Sequence, residues 1–85
     1  MENLSMERKN RTIENFIKED AEIGTERIRP LKNKDINVIN DFLGKNMKEI
    51  ASYPFIGEKT VAAITKALKK FDMVVDGNGE IVEAA

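Results

Sequence analysis

The chain has no cysteine, no histidine and no tryptophan, and it has only one tyrosine and two prolines. Without cysteine or histidine it lacks the usual ligands of a zinc site, and it has no disulfide, thiol or imidazole chemistry. No apolar run reaches the roughly 20 residues of a membrane-spanning helix, and no signal peptide opens the sequence. We therefore expect no cofactor, no metal, no membrane partner and a cytoplasmic location.

Charge of both signs is abundant, but it is unevenly distributed along the chain. Residues 1–26 carry 4 basic and 7 acidic side chains, residues 27–71 carry 10 and 4, and residues 72–85 carry 4 acidic ones only. A basic middle indicates either a surface for a polyanion or charged faces that merely solvate the domain. We predict an acidic amphipathic helix that docks on the rest (1–26), a central domain (27–75) and an acidic tail (76–85).

Hydrophobic periodicity and capping residues predict an all-α fold of about four helices. The expected helices cover residues 5–22, 33–43, 46–52 and 58–71, and they begin or end at residues such as Gly24, Asn33, Gly44 and Asn46. The second of them is expected to start at Asn33 as the cap, with Asp35 in its first turn. The segment around Asp76-Gly77-Asn78-Gly79 is either a short β-hairpin or a frayed acidic tail.

The turn before the last predicted helix combines features of an anion site. The first N–H groups of that helix have no partner within it, and they lie at the positive end of the helix dipole. Gly57 has no Cβ to keep a phosphate away, Lys59 adds a positive charge and Thr60 adds a hydroxyl. Ile56 points inward and fixes the turn. The alternative is that Gly57 only permits a tight corner and Thr60 only caps the helix.

The same residues resemble a known family. Residues 53–64 read Tyr-Pro-Phe-Ile-Gly-Glu-Lys-Thr-Val-Ala-Ala-Ile, which is similar to the helix-hairpin-helix pattern Pro-Gly-Ile-Gly-x-Lys-Thr-Ala-x-x-Ile. Phe55 replaces the first Gly, as in the C-terminal domain of the bacterial RNA polymerase alpha subunit, which also lacks it. Residues 31–39 resemble the first helix of that family, in which a basic residue and an Asn reach the minor groove. Lys34 and Asn37 occupy those places.

The resemblance implies a small helix-hairpin-helix domain that binds double-stranded DNA without catalysis, in transcription regulation. The hairpin would hold phosphate, the first helix would reach the minor groove, and RNA polymerase or another transcription protein would be a further partner. The expected DNA-binding residues are Lys34, Asn37, Ile56, Gly57, Lys59, Thr60 and Lys66.

The rival interpretation is a protein-interaction module in which the helical corner is only scaffold. In that case the acidic N-terminal helix would dock on transcription machinery, or it would dimerise through Ile13, Phe16 and Ile17. An enzyme is the least favoured class, because the carboxylates are scattered over polar faces and no nucleophile has an evident base beside it.

Overall fold

The computed structural model describes residues 4–84, which are mostly helical and end in a two-stranded antiparallel sheet. The α-helices are α1 (Leu4–Asn10), α2 (Ile13–Asn15), α3 (Ile28–Lys32), α4 (Met47–Ile50) and α5 (Glu58–Leu68). A π-helical segment follows α2 (Phe16–Asp20), 3-10 turns cover Thr25–Arg27, Ile39–Phe42 and Lys69–Phe71, and the strands are β1 (Met73–Val75) and β2 (Ile81–Glu83). The predicted all-α class is therefore only roughly right, because residues 73–83 form the β-hairpin that was one of the two expectations for this segment. None of the helices in this part of the chain is long and apolar enough to cross a membrane.

The N-terminal segment is broken where a single helix over 5–22 was expected. Thr12 is extended, and its hydroxyl accepts a hydrogen bond of 3.2 Å from the Asn15 N–H, so it caps a second helix. Thr12 also pairs with Val38 in an isolated antiparallel bridge. The helical segment then ends at Asp20, and Glu22 turns the chain with a left-handed φ of 54° before Gly24 is reached. A strong N-cap residue inside the periodic pattern explains the break.

The helix expected over 33–43 is also wrong. Asn33 is the C-cap of α3, Asp35 has a left-handed φ of 63°, and only the short 3-10 turn follows before residue 43. Pro30 is the third residue of α3. A backbone N–H at this position would have no acceptor within the helix, so proline does not interrupt it. Asn33 and Asp35, which were expected to begin a helix, therefore follow the end of α3.

One hydrophobic core takes residues from both ends and the middle of the chain. Phe16 is fully buried, and its ring lies 5.6 Å from that of Phe42 and 6.3 Å from that of Phe71. Tilted aromatic pairs at such distances add about 0.5–1.5 kcal/mol each beyond the burial of their surface. Ile13 and Ile17 are equally buried. Dimerisation through Ile13, Phe16 and Ile17 is therefore wrong, because these side chains already form the interior of the domain.

A buried arginine ties the first helix to the last strand. The Arg8 guanidinium on α1 donates a hydrogen bond of 2.9 Å to the Phe71 carbonyl, and it forms an ion pair with Glu83 on β2. Arg8 is almost fully buried although Glu83 is exposed. The acidic C-terminal segment thus packs against the N-terminal helix.

The hairpin loop also packs against the start of α4. Asn46 accepts a hydrogen bond of 2.9 Å from the Lys48 N–H as the predicted cap, and it donates one of 3.1 Å to the Asn78 carbonyl. The Met47 N–H bonds the Gly79 carbonyl at 2.7 Å. Gly79 has a φ of 89°, and a Cβ there would lie 2.9 Å from the Asn46 side chain. Only glycine fits this contact, which anchors the hairpin to the helical part.

Candidate nucleic-acid interface

The corner before α5 is a tight turn with an unusual residue at its tip. The Tyr53 carbonyl accepts a hydrogen bond of 3.1 Å from the Ile56 N–H, and Pro54 and Phe55 lie between them. Phe55 has a φ of 65°, a conformation that such turns usually give to glycine. The left-handed backbone costs a residue with a Cβ about 1–2 kcal/mol. Ile56 is buried, which confirms that it points inward, whereas the Phe55 side chain is 67% exposed.

Helix α5 begins without a cap from any side chain in the described part of the chain. Its N-cap residue, Gly57, is exposed and extended, with a φ of −115°, so the backbone does not require glycine. A Cβ on Gly57 would meet no protein atom within 4 Å. The first-turn N–H groups of α5 have no intrahelical acceptors, and the space in front of them is open. This arrangement can accept an anion.

Helix α5 exposes two lysines and, in its first turn, the carboxylate of Glu58. Lys59 and Lys66 are both exposed, and seven residues place them on the same face about 10 Å apart. Neither forms an ion pair with a residue of the described range. Lys66 borders a small groove whose other walls include Asp20 and Glu22. Two acidic residues of the N-terminal segment therefore lie beside the Lys66 end of this face.

Thr60 was expected on the exposed side of α5, but it does not lie there. It is buried, and its hydroxyl accepts a hydrogen bond of 3.0 Å from the Arg27 Nε. The same guanidinium is paired with Glu26 at 2.8 Å. Thr60 therefore fixes the segment before α3 against the first turn of α5. Its hydroxyl is engaged inside the protein, and the expectation that it faces a phosphate is wrong.

The structure brings one of the two predicted minor-groove residues to the corner. The Lys34 ammonium lies 5.6 Å from the centre of the Tyr53 ring. Asn37 is in extended chain, where its N–H bonds the Asp41 carboxylate at 2.9 Å and its carbonyl accepts from the Ile13 N–H at 2.9 Å. Lys34 and Asn37 therefore do not share a helix face. Lys34 faces the turn, while the backbone of Asn37 holds the N-terminal segment.

A groove of about 480 Å³ lies between α3 and the turn, and we call it the corner groove. Its walls include Arg29, Pro30, Lys34, Tyr53, Pro54 and Phe55. Burial raises the pKa of the Tyr53 phenol, with a smaller contribution from the Glu49 carboxylate, so the ring under Lys34 is neutral at physiological pH. Sequence reasoning missed Arg29 because it placed no helix between residues 22 and 33. The three-residue spacing of Ile28 and Leu31 was the available signal for α3.

Most of the basic charge of the middle segment is not neutralised inside the fold. Of its 10 basic residues, Arg27 and Lys32 form ion pairs with acidic residues of the described range, with Glu26 and Glu14. Three further acidic residues of the two ends pair with arginines of the N-terminal segment: Glu83 pairs with Arg8, and Glu19 and Asp20 pair with Arg11. The lysines near the corner therefore keep their charge available to a ligand.

The chain matches no protein family, no characterised protein and no solved structure. The corner offers open backbone donors at Gly57, a lysine face on α5, and a groove with two cations and an exposed aromatic ring. Such groups bind anions and flat apolar rings, which are both present in nucleic acids.

Proposed function

We propose that this domain binds double-stranded DNA without catalysis, in the manner that its resemblance to helix-hairpin-helix domains implies. The observation that carries the proposal is the open start of α5: Gly57 leaves the first-turn N–H groups accessible, and the exposed Lys59 lies next to them. A DNA phosphate is the anion that these groups would bind, and Lys66 would bind a second phosphate along the same face.

The remaining expected residues contribute in different ways to this proposal. Ile56 and Thr60 are buried, so they would build the corner and not touch DNA with their side chains. Lys34 lies beside the turn and would add a third positive charge. Asn37 is exposed, but it does not share a helix with Lys34, and we assign no phosphate contact to it. A role in transcription, with RNA polymerase as a protein partner, follows from the resemblance alone and stays a prediction.

The test is a fluorescence anisotropy titration of the full chain with a labelled duplex of mixed sequence, at two salt concentrations. We expect Gly57→Glu to weaken binding most, because it places a carboxylate in front of the open N–H groups. Lys59→Ala should weaken binding and lower the slope of log affinity against log salt by about 1. Lys9→Ala removes the same charge from α1, where Lys9 is exposed, and is the matched control.

The proposal fails if duplex affinity is independent of salt, or if Lys9→Ala weakens it as much as Lys59→Ala does. In that case the protein-interaction module becomes the better candidate. One observation favours it: Met6 is 54% exposed on α1, which lies in the N-terminal segment expected to carry recognition. Sedimentation velocity would then show that the domain forms a complex with a protein partner and that adding duplex DNA does not shift its sedimentation.

A further inference from the structure

We propose that the corner groove binds a single unpaired nucleobase, which stacks on Phe55. This inference rests on the proposed DNA binding and goes beyond it, since a domain that only holds phosphates would not distinguish paired from unpaired bases. It makes the domain a receptor for duplexes with a bulged or frayed base. The chemical partner is a nucleotide whose base is free to leave the helix.

The first support is the placement of Phe55. It is an aromatic residue at the tip of a turn, in a backbone conformation that favours glycine, with 67% of its surface exposed. The fold buries other phenylalanines, Phe16 and Phe42, in its core. A ring held outward in a strained conformation is an observation from which a binding role can be inferred. Base stacking on an aromatic face does not depend on the identity of the base.

The second support is the charge of the groove. Arg29 and Lys34 line it, and neither forms an ion pair with a residue of the described range. Glu26 is the acidic residue of its wall, and this carboxylate is paired with Arg27 at 2.8 Å. A groove that holds an aromatic ring and two cations outside ion pairs complements a base and its neighbouring phosphates. The volume of about 480 Å³ lies within the range of about 300–1,000 Å³ that small-ligand sites occupy.

The third support is continuity with the phosphate site at Gly57. Phe55 precedes Gly57 by two residues, which span at most about 7 Å of chain. Each DNA strand advances about 3.4 Å per phosphate, so this distance corresponds to roughly two nucleotides. The separation therefore allows one strand to hold a phosphate at the start of α5 and to place a nearby base in the groove.

The test compares two labelled duplexes that differ only by one bulged thymidine, titrated with the full chain. We expect the bulged duplex to bind about fivefold to a hundredfold more tightly, the range that base–aromatic stacking gives. Phe55→Leu keeps an apolar side chain at the turn but removes the ring, and should abolish this preference. Phe55→Trp keeps an aromatic face at the turn and should retain the preference for the bulged duplex. Melting curves of both variants check that the exposed position leaves the fold intact.

A spectroscopic readout separates stacking from a structural effect. When the bulged duplex is added, the ring protons of Phe55 should shift upfield in the NMR spectrum, because a base lies over the ring. Equal binding of both duplexes, with Lys59→Ala weakening both, would overturn the nucleobase site and leave the proposed function standing. Absence of binding to either duplex would overturn both. Phe55-dependent binding of a poly(Glu,Tyr) copolymer, without a preference for the bulge, would overturn the inference in favour of an acidic protein partner.

Discussion

Helices α4 and α5 both begin at corners that the sequence had marked, but they begin in opposite ways. At α4, the Asn46 side chain accepts from the Lys48 N–H, and the hairpin loop covers the remaining space with the Asn78 and Gly79 backbone. At α5, Gly57 supplies no side-chain cap, and the space where its Cβ would be is empty. The protein satisfies the first helix start internally and leaves the second open.

This difference suggests how to distinguish structural polar groups from those available to a ligand. Arg8, Arg27, Asn46 and Thr60 are engaged with partners inside the chain, and each joins segments that are distant in sequence. The groups around Gly57 and on the exposed face of α5 have no such partners among the described residues. We therefore expect substitutions in the first group to change stability, and substitutions in the second to change affinity for DNA.

The largest effect is expected for the double substitution Lys59→Ala and Lys66→Ala. Two phosphate contacts should disappear, which lowers the slope of log affinity against log salt by about 2 and the affinity at low salt by about a hundredfold. The free energy of unfolding should change by less than about 0.5 kcal/mol, as is usual for exposed residues. Anisotropy titrations over a salt series measure the affinity and its salt slope, and urea denaturation measures the free energy of unfolding. A salt slope that is unchanged from the wild type would contradict the assignment.

The second effect concerns the strained turn. Phe55→Gly should raise the free energy of unfolding by about 1 kcal/mol, because glycine adopts a positive φ without the steric cost, although its greater freedom when unfolded offsets part of the gain. Urea denaturation monitored by circular dichroism measures this. Phe55→Ala is the control, since it removes the ring but keeps the Cβ. If both variants change stability equally, the left-handed conformation is not the source of the cost.

The third effect concerns the closed helix start. Asn46→Ala should lower the free energy of unfolding by about 1 kcal/mol, because the Lys48 N–H loses its acceptor at the N-cap. Affinity for duplex DNA should be unchanged as long as the variant is folded. Thermal unfolding and an anisotropy titration below the melting temperature test the two statements. Weaker DNA binding by folded Asn46→Ala would break the distinction between the two helix starts.

The smallest expected effect on stability is the most direct test of the comparison. Gly57→Ser should stabilise the domain by a few tenths of a kcal/mol, because serine is a better N-cap than glycine and its Cβ meets no obstacle. The same hydroxyl would occupy an N–H group that we assign to phosphate, so DNA affinity should fall while stability rises. Gly57→Ala adds the Cβ without the hydroxyl and separates crowding from capping. A rise in both stability and affinity would contradict an open anion site.

The sequence predicted those parts of the fold that depend on neighbouring residues. The Asn46 cap, the inward Ile56 and the amphipathic α5 all follow from local patterns, and the structure has them. The position of Thr60 could not be predicted, because the Arg27 side chain that bonds it comes from 33 residues away. Hydrophobicity alone suggested burial of Phe55 as readily as exposure, and only the geometry of the turn decides between them.

The contact between Arg8 and Glu83 has a consequence for the synthesis of the chain. Its two residues are 75 positions apart, so Arg8 is made well before the carboxylate with which it pairs. At translation rates of about 5–20 residues per second, the ribosome needs several seconds to complete that interval. During this time the guanidinium of Arg8 has neither the Phe71 carbonyl nor the Glu83 carboxylate. The nascent chain can therefore pack α1 on the 3-10 turn Ile39–Phe42 early, but it cannot satisfy the buried guanidinium of Arg8 until β2 has been made.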